Sequence, residues 1–226
     1  DIDKIKTFAK DYNLKVIEDA AQSFGAEYKG KKVGSLVDLT CFSFNPVKNL
    51  GAMGDAGAVT GKKELIDKVR MYRNHGRRTQ FEYDVVGYNS RIDNLQAVVI
   101  ESKLKKLNEW TEKKRKICHR YTAELKGIVK CPEEAPWSYH TYYVYVIETP
   151  EGTRNALQEH LKAKGIQTNI HYRSPTHTTK AFEQYGVRLP RTEYVCDNIL
   201  SLPCYFTLPK HHQDYIIKAI KEFYNS

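Results

Sequence analysis

The fold is constrained most strongly by two short apolar segments, each of which has a polar residue at or near its carboxyl end. The first, residues 14–18, leads directly into Asp19. The second, residues 39–44, includes Ser43 near its end. Both have the length and apolar content of buried strands rather than of helices. Since ligands of α/β sheets bind at the carboxyl ends of strands, the pattern predicts an α/β fold with a binding site at that edge.

A glycine-rich loop that carries Lys48 follows the second segment. Gly51, Gly54 and Gly57 punctuate this loop, and glycines allow the backbone to approach a bulky ligand closely. An amine near a carboxylate suits pyridoxal phosphate, whose aldehyde is held by a lysine and whose pyridine nitrogen is kept protonated by an acid. Lys48 and Asp19 are the candidate pair, although each alone would be interpreted as an ordinary surface or turn residue.

The rest of the chain predicts a mixture of helices and strands. Helices are expected at about 1–13, 63–74, 93–125, 153–164, 190–201 and 210–224, and further strands at 57–60, 142–148 and 166–170. The buried stripe of the long helix is expected to comprise Leu95, Val98, Val99, Ser102, Leu104 and Leu107. The chain should leave a first domain near its residue 107, which predicts domains at 1–107 and 108–226. Because helical spacing begins at once after Asp1, we expect a piece of a longer polypeptide.

Charge and composition bear on the class of partner. The net charge of +9 would suit a nucleic-acid binder, which would show steep salt dependence. However, much of the basic excess at 103–116 alternates with glutamates, which favours a solvated helix face, with an anionic small molecule as an alternative. The five cysteines lack zinc-ligand spacing, and no apolar run approaches the roughly 18 residues of a membrane span. We therefore expect no metal, no nucleic acid, no membrane and a cytoplasmic location.

Several motifs together resemble one family. Residues 16–60 are similar to the signature of the DegT/DnrJ/StrS-type nucleotide-sugar aminotransferases, which are pyridoxal phosphate enzymes of fold type I. The resemblance continues through Arg-Asn-His-Gly at 73–76, Gly-Tyr-Asn-Ser-Arg-Ile-Asp-Asn-Leu-Gln-Ala at 87–97 and Lys-Gly-Ile-Gln-Thr-Asn-Ile-His-Tyr at 164–172. It implies a partial large domain with a mixed, mostly parallel sheet and helices, and a small carboxyl-terminal α+β domain. Members of the family carry a long segment before the acidic turn, so the resemblance also implies that the amino-terminal part is missing.

The resemblance implies a role for each residue that matches the family pattern. Lys48 would hold the aldehyde of the cofactor and move protons, and Asp19 would pair with the pyridine nitrogen. Gln22 would lie against the ring, and Ser43 would bind the phosphate. Asn89 would reach the cofactor phosphate of a neighbouring subunit, which implies a homodimer with shared active sites. The alternative for Asn89, from its loop sequence alone, is a turn residue.

The segment at 171–177 resembles the part of the family that approaches the substrate. The proline that usually follows His-Tyr is Arg173 here. Arg173 could bind a carboxylate or a diphosphate with its planar guanidinium. Tyr172, His177 and Tyr83 are further substrate candidates, each with an ordinary surface or packing role as the alternative.

The implied function is the transfer of an amino group from an amino acid, glutamate by family analogy, to the keto group of a nucleotide-diphosphate-linked sugar. The run Lys-Asn-Leu-Gly-Ala that begins at Lys48 resembles the subgroup of the family that aminates 3-keto sugars. Two alternatives remain open. A sugar dehydratase of the same fold carries a histidine in place of the lysine, which Lys48 disfavours, and a noncatalytic relative would keep the fold without the chemistry.

Overall fold

The structure is a computed structural model that describes residues 1–225 and divides into two compact units. One comprises residues 1–111 and 134–143, and the other comprises 112–133 and the chain from 144 onward. The first unit contains α1 (Ile2–Asp11), β1 (Ile17–Asp19), β2 (Glu27–Tyr28), β3 (Lys31–Lys32), β4 (Leu39–Ser43), β5 (Gly57–Gly61), α2 (Lys63–Tyr72), α3 (Asn94–Leu104), the start of α4 (Leu107–Leu125) and β6 (Ser138–Tyr139). The second contains the rest of α4, β7 (Tyr145–Glu148), α5 (Arg154–Ala163), α6 (Pro190–Asn198), β8 (Ile199–Leu202) and α7 (Lys210–Asn225).

A three-stranded sheet of order β1-β4-β5 organises the first unit. Strands β1 and β4 are parallel, and β5 is antiparallel to β4. Strand β1 begins at Ile17, three residues later than expected. The reason is the end of α1, where Asn13 has a left-handed φ of 51° and the amide of Leu14 bonds to the carbonyl of Ala9 at 2.7 Å. Residues 14–16 are therefore a connection rather than a strand.

The core of the first unit buries residues on both sides of Lys48 in the chain. The cluster consists of Ala20, Phe42, Phe44, Leu50, Ala52 and Leu107. Phe24 meets the rings of Phe42 and Phe44 edge to face, with centroids 5.0 and 5.3 Å away. Because Phe44 and Leu50 are both buried, the ends of the segment between them are fixed by apolar burial while its middle reaches the surface.

A second small sheet of order β3-β2-β6 was not predicted from the sequence. Its β2–β3 hairpin turns at Lys29 and Gly30, which have φ values of 49° and 74° as a type I′ turn requires. Strand β6 pairs antiparallel with β2 and so joins residues 134–143 to the first unit. Two-residue strands leave too little periodicity to be recognised.

The long helix predicted at 93–125 was wrong in two respects. It is broken at Lys105 and Lys106 into α3 and α4. Its predicted stripe is not buried: Leu95, Val98 and Leu104 are 71%, 62% and 48% exposed, and only Leu107 belongs to the core. The apolar residues of α3 are spread around the helix rather than along one face, so their spacing specified no buried side.

The second unit packs helices against the antiparallel pair β7–β8. Its fully buried side chains include Cys118, Tyr121, Leu125, Tyr145, Ile147, Leu157, Leu161, Leu200 and Ile220. The strand predicted at 166–170 was wrong, because the segment makes only one bridge, between Asn169 and Ser201. The helix predicted to reach residue 201 ends at Asn198, because the apolar residues that follow form β8 and complete the ladder with β7.

Within residues 1–225, no helix combines the length and the apolar character needed to cross a membrane. In the same part of the chain, no group of three or more His, Cys, Asp or Glu side chains is arranged to hold a metal ion.

Asp38 provides a pH-dependent prediction for the central sheet. Its carboxylate accepts a hydrogen bond from the amide of Val16 at 2.9 Å and pairs with Lys62 at 2.7 Å. These two contacts lower the pKa of Asp38, with Lys62 as the larger cause. Asp38→Asn should lower the free energy of unfolding by about 1 kcal/mol at neutral pH, since a charge-assisted contact to a partly exposed lysine is lost.

Protonation should remove the same stabilisation from the wild type. Because the folded pKa lies below the unfolded value of about 3.9, the contribution is present above the unfolded pKa and is lost as the pH falls through the folded one. Urea unfolding of both proteins at pH 7 and near pH 3 measures this. A difference between the proteins that stays constant over that interval would contradict the role of Asp38.

Candidate active site

The structure places Asp19 and Ser43 at one edge of the central sheet. They are the last residues of β1 and β4, which run parallel, so both lie at the carboxyl ends of their strands. Asp19 is in register with Cys41, two residues before Ser43. The neighbouring register pair, Glu18 and Thr40, joins side chains on the opposite face, where Thr40 donates to the Glu18 carboxylate at 3.2 Å. By alternation, Asp19 and Ser43 share the other face.

The turn after β1 leaves part of the Asp19 carboxylate available. Oδ1 accepts a hydrogen bond from the amide of Ala21 at 3.0 Å, and the amide of the buried Ala20 bonds to the carbonyl of Cys41 at 2.8 Å. Oδ2 accepts no hydrogen bond from residues 1–225, and the side chain is exposed. Gln22 follows in the same turn with its side chain also exposed. The sheet thus fixes the backbone while Asp19 and Gln22 remain able to bind a ligand.

Ser43 is half-buried and retains a hydrogen to donate. Its Oγ accepts a hydrogen bond from the amide of Asn45 at 3.3 Å. Gly57 lies opposite it in the ladder, where a Cβ would come within 2.8 Å of the carbonyl oxygen of Phe42. This close approach explains why residue 57 is a glycine. Because Gly57 has no side chain, none on β5 stands directly opposite the Ser43 hydroxyl.

Lys48 lies on a compact loop and is half-buried. Its amide donates to the carbonyl of Asn45 at 2.9 Å, and the Asn45 side chain donates to Asp55 at 2.8 Å, which closes the loop on itself. The Lys48 ammonium stands 4.6 Å from the centroid of the Tyr143 ring. It forms no ion pair with any residue in the described part of the chain. An aromatic face therefore orients the amine without neutralising it.

Sequence reasoning missed three residues that hold this loop. Tyr143 lies far from Lys48 along the chain, and no local pattern connected the two. Gln96 accepts a hydrogen bond from the amide of Met53 at 2.8 Å, and Lys103 donates to the carbonyl of Gly51 at 2.6 Å. Gln96 belongs to the motif at 87–97 that carries part of the family resemblance, so it is the one of the three with a signal in the sequence.

Two glycines of the loop give a matched pair of variants. A Cβ at Gly51 would collide with the carbonyl oxygen of Pro46, which is backbone, whereas a Cβ at Gly54 would lie 3.1 Å from the amide end of Gln96, which is a flexible side chain. Gly51→Ala should therefore destabilise the protein by about 1–3 kcal/mol and displace Lys48. Gly54→Ala should cost less than about 1 kcal/mol. Chemical unfolding of both variants checks this, and equal losses would contradict the loop packing described.

Asn89 and Tyr83 lie on a separate loop of the first unit. Asn89 is exposed and forms a backbone bridge with Asn74. Tyr83 is 57% exposed, and the guanidinium of Arg77 stands 5.4 Å from its ring centroid. Within residues 1–225, no hydrogen bond or ion pair joins Asn89 or Tyr83 to Asp19, Ser43 or Lys48.

The remaining candidates belong to the second unit. Tyr172 and Arg173 are exposed. His177 is half-buried, and its Nε2 lies 3.0 Å from a carboxylate oxygen of Glu193, which also accepts the amide of Leu189 at 2.9 Å. His177 is the larger cause of the lowered pKa of Glu193. His177 is thus engaged in packing the unit, while Tyr172 and Arg173 are available to solvent.

Comparison with known proteins gives consistent matches along the chain. The model of the DegT/DnrJ/EryC1/StrS aminotransferase family matches residues 1–221. A pleiotropic regulatory protein of Geobacillus stearothermophilus is 40% identical over 99% of this chain and 62% of its own length. The dTDP-3-amino-3,4,6-trideoxy-alpha-D-glucose transaminase of Streptomyces venezuelae is 35% identical over 99% of this chain and 60% of its own length. The crystal structure of a DegT DnrJ EryC1 StrS aminotransferase from Brucella abortus matches with a TM-score of 0.95 and 35% identity, over 100% of this chain and 61% of that one. The chain thus spans about three fifths of the length of these relatives.

Proposed function

Because the chain belongs to the DegT/DnrJ/EryC1/StrS aminotransferase family, we propose that the complete protein transfers an amino group from an amino acid to a keto group of a nucleotide-linked sugar. Aminotransferases of this family depend on pyridoxal phosphate. The structural matches confirm the predicted fold class, that of the fold type I transferases. Residues 1–107 are proposed as part of the large domain and 108–226 as the small α+β domain of a cytoplasmic enzyme.

The side chains at the sheet edge fit pyridoxal phosphate by their chemistry. The amine of Lys48 has no carboxylate partner in residues 1–225, the Oδ2 atom of Asp19 accepts no hydrogen bond there, and the Ser43 hydroxyl can still donate. An amine suits an aldehyde, a carboxylate suits a protonated pyridine nitrogen, and a hydroxyl suits a phosphate. When bound, the cofactor supplies an electron sink for the carbon that loses its proton.

Each residue then has a defined task. Nζ of Lys48 would hold the aldehyde of the cofactor at rest. Once the donor amine displaces it, the freed Nζ would take the proton from the α-carbon of the donor and later deliver a proton to the sugar carbon that receives the amine. Oδ2 of Asp19 would accept a hydrogen bond from the pyridine N–H and keep that proton in place. The Ser43 hydroxyl would donate to the phosphate, and the exposed amide of Gln22 would contact the ring.

The dimer and the substrate contacts are supported by exposure and by analogy. Asn89 is exposed and is proposed to bind the cofactor phosphate of a second subunit, which makes the active unit a homodimer. The guanidinium of Arg173 is proposed to bind the donor carboxylate or the sugar diphosphate, with Tyr172 and Tyr83 as further contacts. His177 is proposed as a further substrate contact whose imidazole is oriented by Glu193 in the second unit.

The family match across residues 1–221 carries the proposal, and the name of the Streptomyces venezuelae relative supports a 3-keto sugar as acceptor. The test incubates the complete protein with pyridoxal phosphate, glutamate and matched pairs of 3-keto and 4-keto nucleotide sugars. Mass spectrometry should detect an aminated sugar with stoichiometric 2-oxoglutarate, and the 3-keto substrate should react faster. Absence of the aminated sugar, and of the 2-oxo acid that corresponds to the donor, with every donor amino acid tested would favour the noncatalytic alternative.

A further inference from the structure

Two cysteines that are far apart in the sequence meet inside the second unit. Sγ of Cys118 and Sγ of Cys204 are 3.0 Å apart, although 86 positions separate them in the chain. An S–S bond is about 2.05 Å long, so about 1 Å of approach would close it. We propose that Cys118 and Cys204 form a reversible redox pair, which a peroxide converts to a disulfide. This modification site is independent of the proposed transaminase activity.

Hydrogen bonds adjacent to each cysteine hold the pair together. Cys118 lies on α4 and Cys204 follows β8. The hydroxyl of Tyr121, one turn after Cys118, donates to the carbonyl of Pro203 at 3.1 Å. The side chain of Gln213 donates to the carbonyl of Ile117 at 2.7 Å. Because both backbones are anchored beside the sulfurs, the bond can close through small side-chain movements without unfolding the unit.

The two thiols differ in access and in acidity, which sets the order of reaction. Cys118 is 0% exposed, whereas Cys204 is only partly buried. The contact with Cys118 is the main cause that lowers the pKa of Cys204, and the charge of Lys114 acts in the same direction. Burial raises the pKa of Cys118. Since the thiolate is the nucleophile, Cys204 reacts first and Cys118 resolves.

The chemistry balances with hydrogen peroxide as the oxidant. The Cys204 thiolate attacks one peroxide oxygen and the O–O bond breaks, which forms a sulfenic acid on Cys204. The second oxygen departs as hydroxide and takes up the proton that the thiol lost, so it is released as water. The sulfur of Cys118 then attacks the sulfur of Cys204, the S–O bond breaks, and a second water leaves as the S–S bond forms. Two thiols lose two electrons and two protons, and the peroxide is reduced to two waters.

The remaining thiols serve as internal controls. Cys41, Cys131 and Cys196 are free thiols, and none contacts another cysteine in residues 1–225. Burial raises the pKa of both Cys131 and Cys196. After peroxide treatment of the folded protein has joined Cys118 to Cys204, these three thiols should still be reduced and should be alkylated when the protein is unfolded.

The test treats the complete, folded protein with a small molar excess of hydrogen peroxide, removes the oxidant, and alkylates all thiols under denaturing conditions. Peptide mass spectrometry should find one linked pair of peptides, Cys118 to Cys204, about 2 Da lighter than the sum of the reduced peptides. Dithiothreitol should abolish the linked pair. Cys196→Ser, which removes a buried thiol outside the pair, should leave its formation unchanged.

Two further variants separate a redox pair from unspecific oxidation. Cys118→Ser should leave a dimedone-reactive sulfenic acid on Cys204, because no second thiol removes it. Cys204→Ser should give about tenfold less dimedone adduct than Cys118→Ser, because the buried Cys118 thiol reacts slowly. Two results with the folded wild-type protein would overturn the proposal. One is a disulfide between other cysteines, and the other is Cys204 oxidised to sulfinic acid with no peptide linked to Cys118.

Discussion

Lys48→Ala should lower the turnover of the complete protein by roughly two to four orders of magnitude, the usual contribution of a positioned general acid-base. Pyridoxal phosphate should still bind, because Asp19 and Ser43 are unchanged and the ends of the Lys48 loop are fixed by the buried Phe44 and Leu50. Steady-state kinetics with glutamate and the preferred keto sugar measures the loss, and equilibrium dialysis measures cofactor retention. The removed side chain lies over Tyr143 and forms no ion pair in residues 1–225, so stability should change little.

Lys68→Ala is a suitable control for this variant. Lys68 is an exposed lysine of α2 and is outside the proposed site, so its removal changes the net charge equally without touching the chemistry. The control should keep turnover within a factor of about two. Wild-type rates in the Lys48 variant would reject Lys48 as the residue that moves the proton.

Asp19→Asn should lower turnover by about two to three orders of magnitude, since the pyridine nitrogen loses the carboxylate that keeps it protonated. Asparagine keeps an oxygen for the amide of Ala21, so the turn after β1 should persist. The bound cofactor should also change its absorbance as a function of pH, a readout that a purely structural role would not move. Asp11→Asn, an exposed carboxylate at the end of α1, is the matched control. An Asp19 variant with normal turnover and an unchanged spectrum would contradict the assignment.

The sequence predicted the sheet edge well because strand ends and glycines are local signals. Asp19 and Ser43 do end parallel neighbouring strands, and Lys48 does lie on a tight loop between β4 and β5. Even the early error at residues 14–16 left Asp19 in place, since it moved only the beginning of β1. The carboxyl end of a strand can be predicted from the change from apolar to polar sequence. The first residue of β1 depends instead on where the preceding helix α1 ends.

The failures occurred where long-range packing decides the outcome. The stripe predicted for α3 was wrong because periodicity specifies neither which face a helix buries nor where two helices join. The residues at 166–170 bridge β8 at one position only, between Asn169 and Ser201, so they do not form a strand. Tyr143 reaches Lys48, and Cys204 reaches Cys118, only through tertiary structure, so neither contact had a local signal.

The covalent attachment of the cofactor to Lys48 is the most direct test of the account. The complete protein is incubated with pyridoxal phosphate, reduced with borohydride, digested and analysed by peptide mass spectrometry. The account predicts a stable phosphopyridoxyl group on the peptide that contains Lys48 and its absence from that peptide in the Lys48→Ala variant. A modification confined to another lysine, or an unmodified Lys48 peptide under saturating cofactor, would contradict it.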